Sequence, residues 1–139
     1  MSRNVIYIGI AIVLVGVIVA IYFYNLGQDD LSKVTPAYEI TAEELYYEFS
    51  ENEETANEKY INKVIQVKGT LGDKEITSDS TLNLVLKTSD SPGSVVCSFN
   101  DPNKLDQDSL KVGQEVIVRG VCSGMLMDVL LNNCVLIKP

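Results

Sequence analysis

An unbroken run of apolar residues, Val5 to Tyr24, opens the chain without a charge or a strongly polar group. As an α-helix that rises about 1.5 Å per residue, a segment of this length spans about 30 Å, the hydrocarbon thickness of a bilayer. Tyr7 near one end and the aromatic residues at the other suit membrane interfaces, where aromatic side chains are enriched. The pattern predicts one transmembrane helix over residues 5–24.

The aromatic end of this segment argues against two alternatives. A cleaved signal peptide has a shorter apolar core and small residues at its end, whereas this segment ends in Tyr22, Phe23 and Tyr24. A lipoprotein requires a cysteine directly after the apolar run, but the first cysteine is Cys97. We therefore expect a permanent signal anchor, in contact with the lipid bilayer.

Charges beside the segment predict its orientation. Arg3 and the amino terminus precede it, whereas Asp29, Asp30 and a single Lys33 follow it. By the positive-inside rule, residues 1–4 form a cytoplasmic head, and residues 25–139 lie in the periplasm or outside the cell. The expected product is a single-pass membrane protein.

Residues 25–40 have no sustained periodicity and contain Gly27 and Pro36, which predicts a linker. A linker of this length would let a domain sit clear of the lipid headgroups. The domain itself, residues 41–139, begins at Thr41. Thr41 and Glu44 match the capping box found at many helix starts.

Helical periodicity follows the capping box. Spacings of three and four residues place one set on a common face: Leu45, Phe49, Asn52, Ala56 and Tyr60. This predicts one helix, or two short helices broken near residues 50–53. Seven glutamates between residues 43 and 58 lie on the other face. They are either a recruitment surface for a basic partner or, more commonly, a solvated face.

From Ile61 onward the apolar period changes to two. Alternating positions predict five strands: 64–71, 81–87, 95–99, 115–122 and 129–137. A brief helix is predicted within residues 100–111, between the third and fourth strands. Gly69 and Gly120 lie inside strand patterns, where glycine marks a sharp bend or a close backbone approach.

Five short strands with a helix after the third predict a mainly β domain with an N-terminal helical segment. The expected fold is the five-stranded Greek-key barrel of the OB-fold. A small open sandwich is the alternative.

Composition excludes most catalytic chemistry. The chain has 139 residues, a net charge of −8 and no histidine. Without histidine, the chemistries of serine hydrolases, Cys–His enzymes and zinc peptidases are close to excluded. One loop carries Asp101, Asn103, Asp106 and Asp108, but it lacks the residue order of an EF-hand. We predict no enzyme activity, no catalytic residues, no cofactor and no metal site.

The three cysteines form no C-x-x-C pair. Cys122 and Cys134 fall on the two final predicted strands, which should be neighbours. In an oxidising compartment a disulfide between them would close a short loop and stabilise the domain by about 3 kcal/mol. A bridge from Cys97, and three small buried thiols without a bridge, are the alternatives.

OB-folds bind ligands on the face of their second and third strands and on the loops after their first and fourth. Four cations form a candidate basic patch there: Lys68, Lys74, Lys87 and Arg119. The residues Met125, Leu126 and Met127 form a candidate apolar contact loop. Arg3 is the only charged side chain before residue 25, so the remainder has ten basic and nineteen acidic residues, a net charge of −9. That charge disfavours nucleic acid.

Several short motifs occur in a recognisable order. They are Glu44-Leu45 with Phe49, then 64–69 (VIQVKG), 96–99 (VCSF), 112–120 (VGQEVIVRG), 122–124 (CSG) and 134–136 (CVL). This order resembles the tRNA_anti-like family of bacterial envelope OB-fold proteins, over residues 41–137. The resemblance implies an OB-fold and an envelope location, and supplies no catalytic residue or ligand. Many members resemble lipoproteins, whereas this chain has an apolar helix instead of a lipidation cysteine.

The sequence therefore predicts a membrane-anchored, extracytoplasmic OB-fold binding module without catalysis. It would act through contacts with an envelope protein or another envelope component. The alternative is an OB-fold protein that binds oligonucleotides or saccharides.

Overall fold

A computed structural model of the chain describes residues 2–26, 31–78 and 80–138. Helix α1 (Arg3–Leu26) stands apart from the rest by its exposure. Within the described residues, only its segment Arg3–Phe23 is long and apolar enough to cross a membrane, with a mean hydropathy of 2.9 and none of it buried. The predicted apolar helix over residues 5–24 agrees with α1.

A linker was predicted for residues 25–40, but after residue 30 the structure shows regular elements that pack on the domain. Gly27, Asp29 and Asp30 lie outside the described residues. Leu31–Lys33 forms one turn of 3₁₀ helix, and Leu31 is buried. Strand β1 (Tyr38–Thr41) then pairs in parallel with the first strand of the barrel. A four-residue strand is too short to show a period, which is why the sequence pattern did not reveal it.

Two helices follow, in agreement with the predicted alternative of two short helices broken near residues 50–53. Helix α2 (Ala42–Glu51) starts at the expected capping box: the Glu44 N–H donates to Thr41 Oγ1 at 3.2 Å, and the Thr41 N–H donates to Glu44 Oε2 at 3.3 Å. Asn52 ends α2 and caps α3 (Glu53–Tyr60), because its Oδ1 accepts from the Thr55 N–H at 3.1 Å. The break therefore comes from a second N-cap within the glutamate-rich segment.

Five strands close into a barrel. They are β2 (Val64–Ile76), β3 (Leu82–Lys87), β4 (Ser94–Phe99), β5 (Glu115–Met125) and β6 (Val129–Lys138). Around the barrel the order is β2, β3, β4, β6 and β5, and β5 pairs again with β2. The β4–β6 pair is parallel and the other pairs of the barrel are antiparallel. The predicted OB-fold barrel is confirmed, with β1 as an additional strand beside β2.

Alternation along each strand fills the barrel. Inward residues of β3, Leu82, Leu84 and Leu86, are at most 1% exposed. Helix α2 packs on this core through Leu45 and Phe49, which are equally buried. Each aliphatic side chain of this size contributes about 1.5–3 kcal/mol when it leaves water. The core thus extends from the barrel interior to the inner face of α2.

Gly69 and Gly120 mark close approaches, as their sequence context predicted. A Cβ on Gly69 would lie 3.0 Å from the Ala42 Cβ, where α2 starts. A Cβ on Gly120 would lie 2.5 Å from the Cys134 Sγ. Both distances are shorter than ordinary contacts, so the two positions admit a hydrogen atom and little more.

The segment between β4 and β5 differs from the prediction of a brief helix. It forms two 3₁₀ turns, Pro102–Lys104 and Gln107–Ser109. Asp101 caps the first turn, since its Oδ1 accepts from the Asn103 N–H at 3.1 Å. Of this mostly polar segment, Leu110 is buried in the core and Leu105 packs against it half-buried, two contacts that short turns suffice to make.

Candidate binding face

The outer face of β3 and β4 is the surface on which OB-folds place ligands. Its central row consists of Val85, Val96 and Leu130, which lie opposite one another on β3, β4 and β6 and are half-buried. Polar side chains border the row, and Ser98 Oγ donates to Asn83 Oδ1 at 2.8 Å. We call this set of outward residues the β3–β4 face. It offers a narrow apolar strip between polar margins.

Charge on this face is predominantly negative. Asp73 pairs with Val85 and Glu75 pairs with Asn83, so both carboxylates border the strip, and both are exposed. Lys87 is the cation at its other margin, opposite Ser94. The described residues of the face contain no aromatic side chain. Stacking platforms and phosphate-binding cations, the two means by which OB-folds hold single strands, are therefore scarce here.

The turn between β5 and β6 stands at one end of the face. Leu126 and Met127 are each 84% exposed, more than any other large apolar side chain described. Asp128 fixes the turn to the start of β4, because its Oδ1 accepts from the Ser94 N–H at 2.8 Å and from Ser94 Oγ at 3.0 Å. We call Leu126 and Met127 the apolar tip. It is an exposed hydrophobic feature on a well-anchored turn.

A family model described as tRNA_anti-like matches residues 1–136 of the chain. The chain belongs to the tRNA_anti-like family. The expected resemblance is confirmed. The matched region also includes the N-terminal helix, which lies before the motifs at residues 41–137 that carry the resemblance. Family and fold place this tRNA_anti-like chain among OB-fold binding modules.

Solved structures extend the comparison. One is a protein of Klebsiella pneumoniae provisionally described as a nucleic acid-binding lipoprotein: TM-score 0.60, 17% identity, 71% of this chain and 91% of that chain covered. Another is a Leishmania major protein provisionally described as an aspartyl-tRNA synthetase: TM-score 0.49, 11% identity, 79% of this chain and 22% of that chain covered. The first similarity supports the fold. No curated protein matches the chain.

The four cations predicted as a basic patch have different surroundings. Lys68 pairs with Glu115 at 3.3 Å. Lys74 donates to the carbonyl oxygens of Gln107 and Leu110 at 2.9 and 2.8 Å, and so holds the 3₁₀ segment on the barrel end. Of the four, Lys87 alone lies on the β3–β4 face. Lys68 and Lys74 are thus engaged within the chain, and a shared role of the four cations as a basic patch stays a prediction.

Arg119 has a role that the sequence did not indicate. One guanidinium nitrogen donates to three backbone carbonyls, those of Leu31, Ser32 and Val34, at 3.1, 3.0 and 2.7 Å. The other donates to Gln66 Oε1 at 2.6 Å. Arg119 thus attaches the segment that precedes β1 to the wall of the barrel. The contact joins residues more than 80 positions apart, so a local sequence pattern does not reveal it.

The predicted contact loop divides into two parts. Met125 ends β5 and packs against the core, half-buried. Leu126 and Met127 alone form the apolar tip. The role of the loop as an apolar contact site stays a prediction.

The bridge predicted between Cys122 and Cys134 is not formed, and all three cysteines are buried free thiols. The register explains this, because Leu131 rather than Cys134 lies opposite Cys122. Cys134 contacts the Cys97 side chain and donates to the Leu131 carbonyl at 3.4 Å. Burial raises the pKa of the Cys122 and Cys134 thiols, so neither is an activated nucleophile.

A polar cluster that the sequence did not reveal joins α2 and α3. Tyr60 donates from its hydroxyl to Glu48 Oε2 at 2.7 Å, and Lys59 pairs with the same oxygen at 3.2 Å. Burial is the main cause that raises the pKa of Tyr60. Hydrogen bonds with Tyr60 and Glu48 raise the pKa of Lys59. These three residues stand at the edge of a groove described below.

Proposed function

We propose that this chain is a membrane-anchored, extracytoplasmic binding module that acts without catalysis on a partner protein of the cell envelope. The observation that carries the proposal is the apolar tip. Two large side chains that are 84% exposed, on a turn fixed by Asp128, lose water only when another molecule covers them. Their place beside the β3–β4 face makes tip and face one contact surface.

The anchor supports an envelope location. Helix α1 exposes its apolar side chains over the span Arg3–Phe23, which is costly in water and favourable in lipid. Arg3 precedes it, and the rest of the chain is acidic. This arrangement supports a cytoplasmic head at residues 1–4 and a domain in the periplasm or outside the cell. In that position the domain meets envelope proteins.

An oligonucleotide or saccharide ligand is the second candidate. The structural neighbour from Klebsiella pneumoniae is provisionally described as nucleic acid-binding, which favours the oligonucleotide. Against it stand the net charge of −9 after residue 24 and the scarcity of cations on the β3–β4 face. Oligonucleotide binding would weaken steeply as the salt concentration rises, because bound phosphates release counterions. Contacts of the apolar tip would change much less with salt.

The experiment is crosslinking of the full chain in intact cells, followed by affinity capture from solubilised membranes. The double variant Leu126→Ser and Met127→Ser is compared with Val112→Ser, an exposed apolar residue outside the proposed surface. We expect a specific envelope protein with the wild type and with Val112→Ser, and its loss with the double variant. Equal capture by all three chains would contradict a contact through the tip.

The anchor is tested separately by fractionation of the same cells. We expect the full-length chain in the membrane fraction and resistant to extraction with alkaline carbonate. A soluble chain, or a chain that begins near residue 25, would contradict the anchor.

A further inference from the structure

A groove of about 760 Å³ lies between β1, α2 and the turn that joins β3 to β4. None of its lining residues belongs to the β3–β4 face or to the apolar tip. Its walls combine carboxylates with three tyrosines, Tyr38, Tyr47 and Tyr60. We call it the acidic groove. Its chemistry differs from that of the binding face, because it pairs negative charge with aromatic rings.

The carboxylates of the acidic groove divide into engaged and unengaged groups. Glu48 binds Lys59 and Tyr60, and Glu44 accepts from the Thr41 N–H. Three further carboxylates line the groove, those of Glu39, Glu43 and Asp90. All three are exposed, and none has a hydrogen bond or an ion pair with the described part of the chain. They are available to a cation from outside.

The chain itself shows how the groove holds an ammonium group. Lys59 Nζ lies 4.9 Å from the ring centroid of Tyr60 and 5.2 Å from that of Tyr38, while it pairs with Glu48. Cation–π contacts and a carboxylate thus act on one charge. Tyr47 is an aromatic side chain of the same groove on which no cation of the described residues lies, and it is 61% exposed beside Glu43 and Glu44.

One wall of the groove is also a sheet edge. Within the described residues, β1 pairs with β2 and with no other strand. Extended peptides commonly add to such an edge and place alternate side chains into adjoining pockets. Tyr38, Glu39 and Ile40 of β1 line the groove, so an added strand would run beside its carboxylates.

We infer that the acidic groove docks a basic, extended segment of a partner protein. Its Lys or Arg side chains pair with Glu39, Glu43 and Asp90 and lie against Tyr47, in the manner that Lys59 shows with Glu48 and Tyr60. The inference goes beyond the proposed function, because it concerns a second surface and requires neither the apolar tip nor the β3–β4 face. It assigns a ligand class, basic peptide, to the acidic groove.

The test uses the full chain in a non-ionic detergent at physiological ionic strength. The probe is a fluorescent synthetic peptide of alternating Lys and Val, and its counterpart has Glu in place of Lys. Binding is followed by fluorescence anisotropy. The triple variant Glu39→Gln, Glu43→Gln and Asp90→Asn removes the unengaged carboxylates. The matched control, Glu75→Gln, Asp106→Asn and Asp108→Asn, removes the same charge from exposed positions outside the groove.

We expect the wild type to bind the Lys peptide and not the Glu peptide. The triple variant should weaken binding about tenfold, because exposed ion pairs are individually modest. The control triple should change it less than about twofold, since distant exposed charges are screened. Tyr47→Ser should weaken binding, whereas Leu126→Ser with Met127→Ser should leave it unchanged.

Absence of binding to the Lys peptide would overturn the inference. Equal weakening by both triple variants would also overturn it, because binding would then follow net charge rather than the groove. Circular dichroism of each variant verifies that the fold is intact. Loss of partner capture through the tip, with peptide binding preserved, would contradict the proposed function and leave the acidic groove supported.

Discussion

Helix α1 and the barrel contain the same types of aliphatic residue, but α1 exposes their side chains whereas the barrel buries them. Ile12 of α1 is 68% exposed, whereas Leu84 of the barrel is 0% exposed. The barrel alternates apolar with polar residues and covers its apolar half with neighbouring strands and α2. Helix α1 is apolar on all sides, so no arrangement of one helix can cover it. Its apolar surface must therefore be covered by something outside the chain, and we propose that membrane lipid covers it.

The largest effect that would break this comparison concerns the barrel core. Leu84→Ala should lower the free energy of unfolding by about 2–5 kcal/mol, because it leaves a cavity where Leu84 is fully buried. Chemical denaturation of the full chain in detergent measures this. Leu14→Ala in α1 is the matched substitution and should leave barrel unfolding unchanged. Equal effects at both positions would show that α1 packs on the barrel.

The second prediction addresses α1. Val13→Arg places a charge near the middle of the apolar segment, which costs about 2.5–3.5 kcal/mol on insertion scales. We expect the chain to shift from the membrane fraction to the soluble fraction, as measured by immunoblotting. The melting temperature of the barrel should stay constant. A chain that stays in the membrane fraction would indicate that another part of the molecule holds it there.

A third pair of variants compares two glycines. Gly120→Ala should destabilise the barrel by about 1–3 kcal/mol, because the new methyl group would meet the Cys134 Sγ and the Asn132 carbonyl oxygen. Gly9→Ala in α1 should have no effect on barrel stability, since nothing lies within 4 Å of the new atom. Thermal melts of both variants test this. A neutral Gly120→Ala would mean that β6 moves away at little cost.

The smallest predicted effect is a pH dependence. The pKa of Tyr60 is raised above its ordinary value of 10.0, mainly by burial, so the folded state holds the phenol proton longer than the unfolded state. The stabilisation is complete below about pH 10 and is lost as the pH rises through the folded-state pKa. Lys59, with a pKa raised above 10.5, acts in the same direction.

Melting temperatures measured against pH should therefore fall above about pH 10. Tyr60→Phe should fall less steeply, from a starting stability lower by about 1 kcal/mol because the hydrogen bond to Glu48 is lost. Tyr47→Phe, at an exposed position, should follow the wild type. A Tyr60→Phe profile as steep as that of the wild type would contradict the assignment.

Local periodicity was sufficient to predict the barrel, because the alternation of apolar residues within each strand identifies the residues that face inward. The pattern of Leu82, Leu84 and Leu86 requires no knowledge of the neighbours. The capping box at Thr41 is likewise local, since it depends on residues three positions apart. Strand β1 was missed because its pairing with β2 is non-local and its four residues carry no period of their own.

The candidate sites depended on pairing and were predicted less well. Arg119 and Lys74 look like free cations in the sequence, yet both bind backbone carbonyls of distant non-strand segments that the folded chain packs against the barrel. The acidic groove collects residues from β1, two helices and a distant turn. Its signal in the sequence was the run of glutamates, which gives the charge but neither the tyrosines nor Asp90.

The bonds from Arg119 to residues 31–34 also set the length of a tether. Leu26 ends α1 and Leu31 is fixed to the barrel, so five peptide units, at most about 17 Å when extended, separate the two. With α1 as the membrane anchor that we propose, the barrel would therefore work within a thin layer above the bilayer. Confinement to such a layer raises the local concentration of partners that share the membrane and limits access to those that do not. The predicted sixteen-residue linker would have allowed a much wider reach.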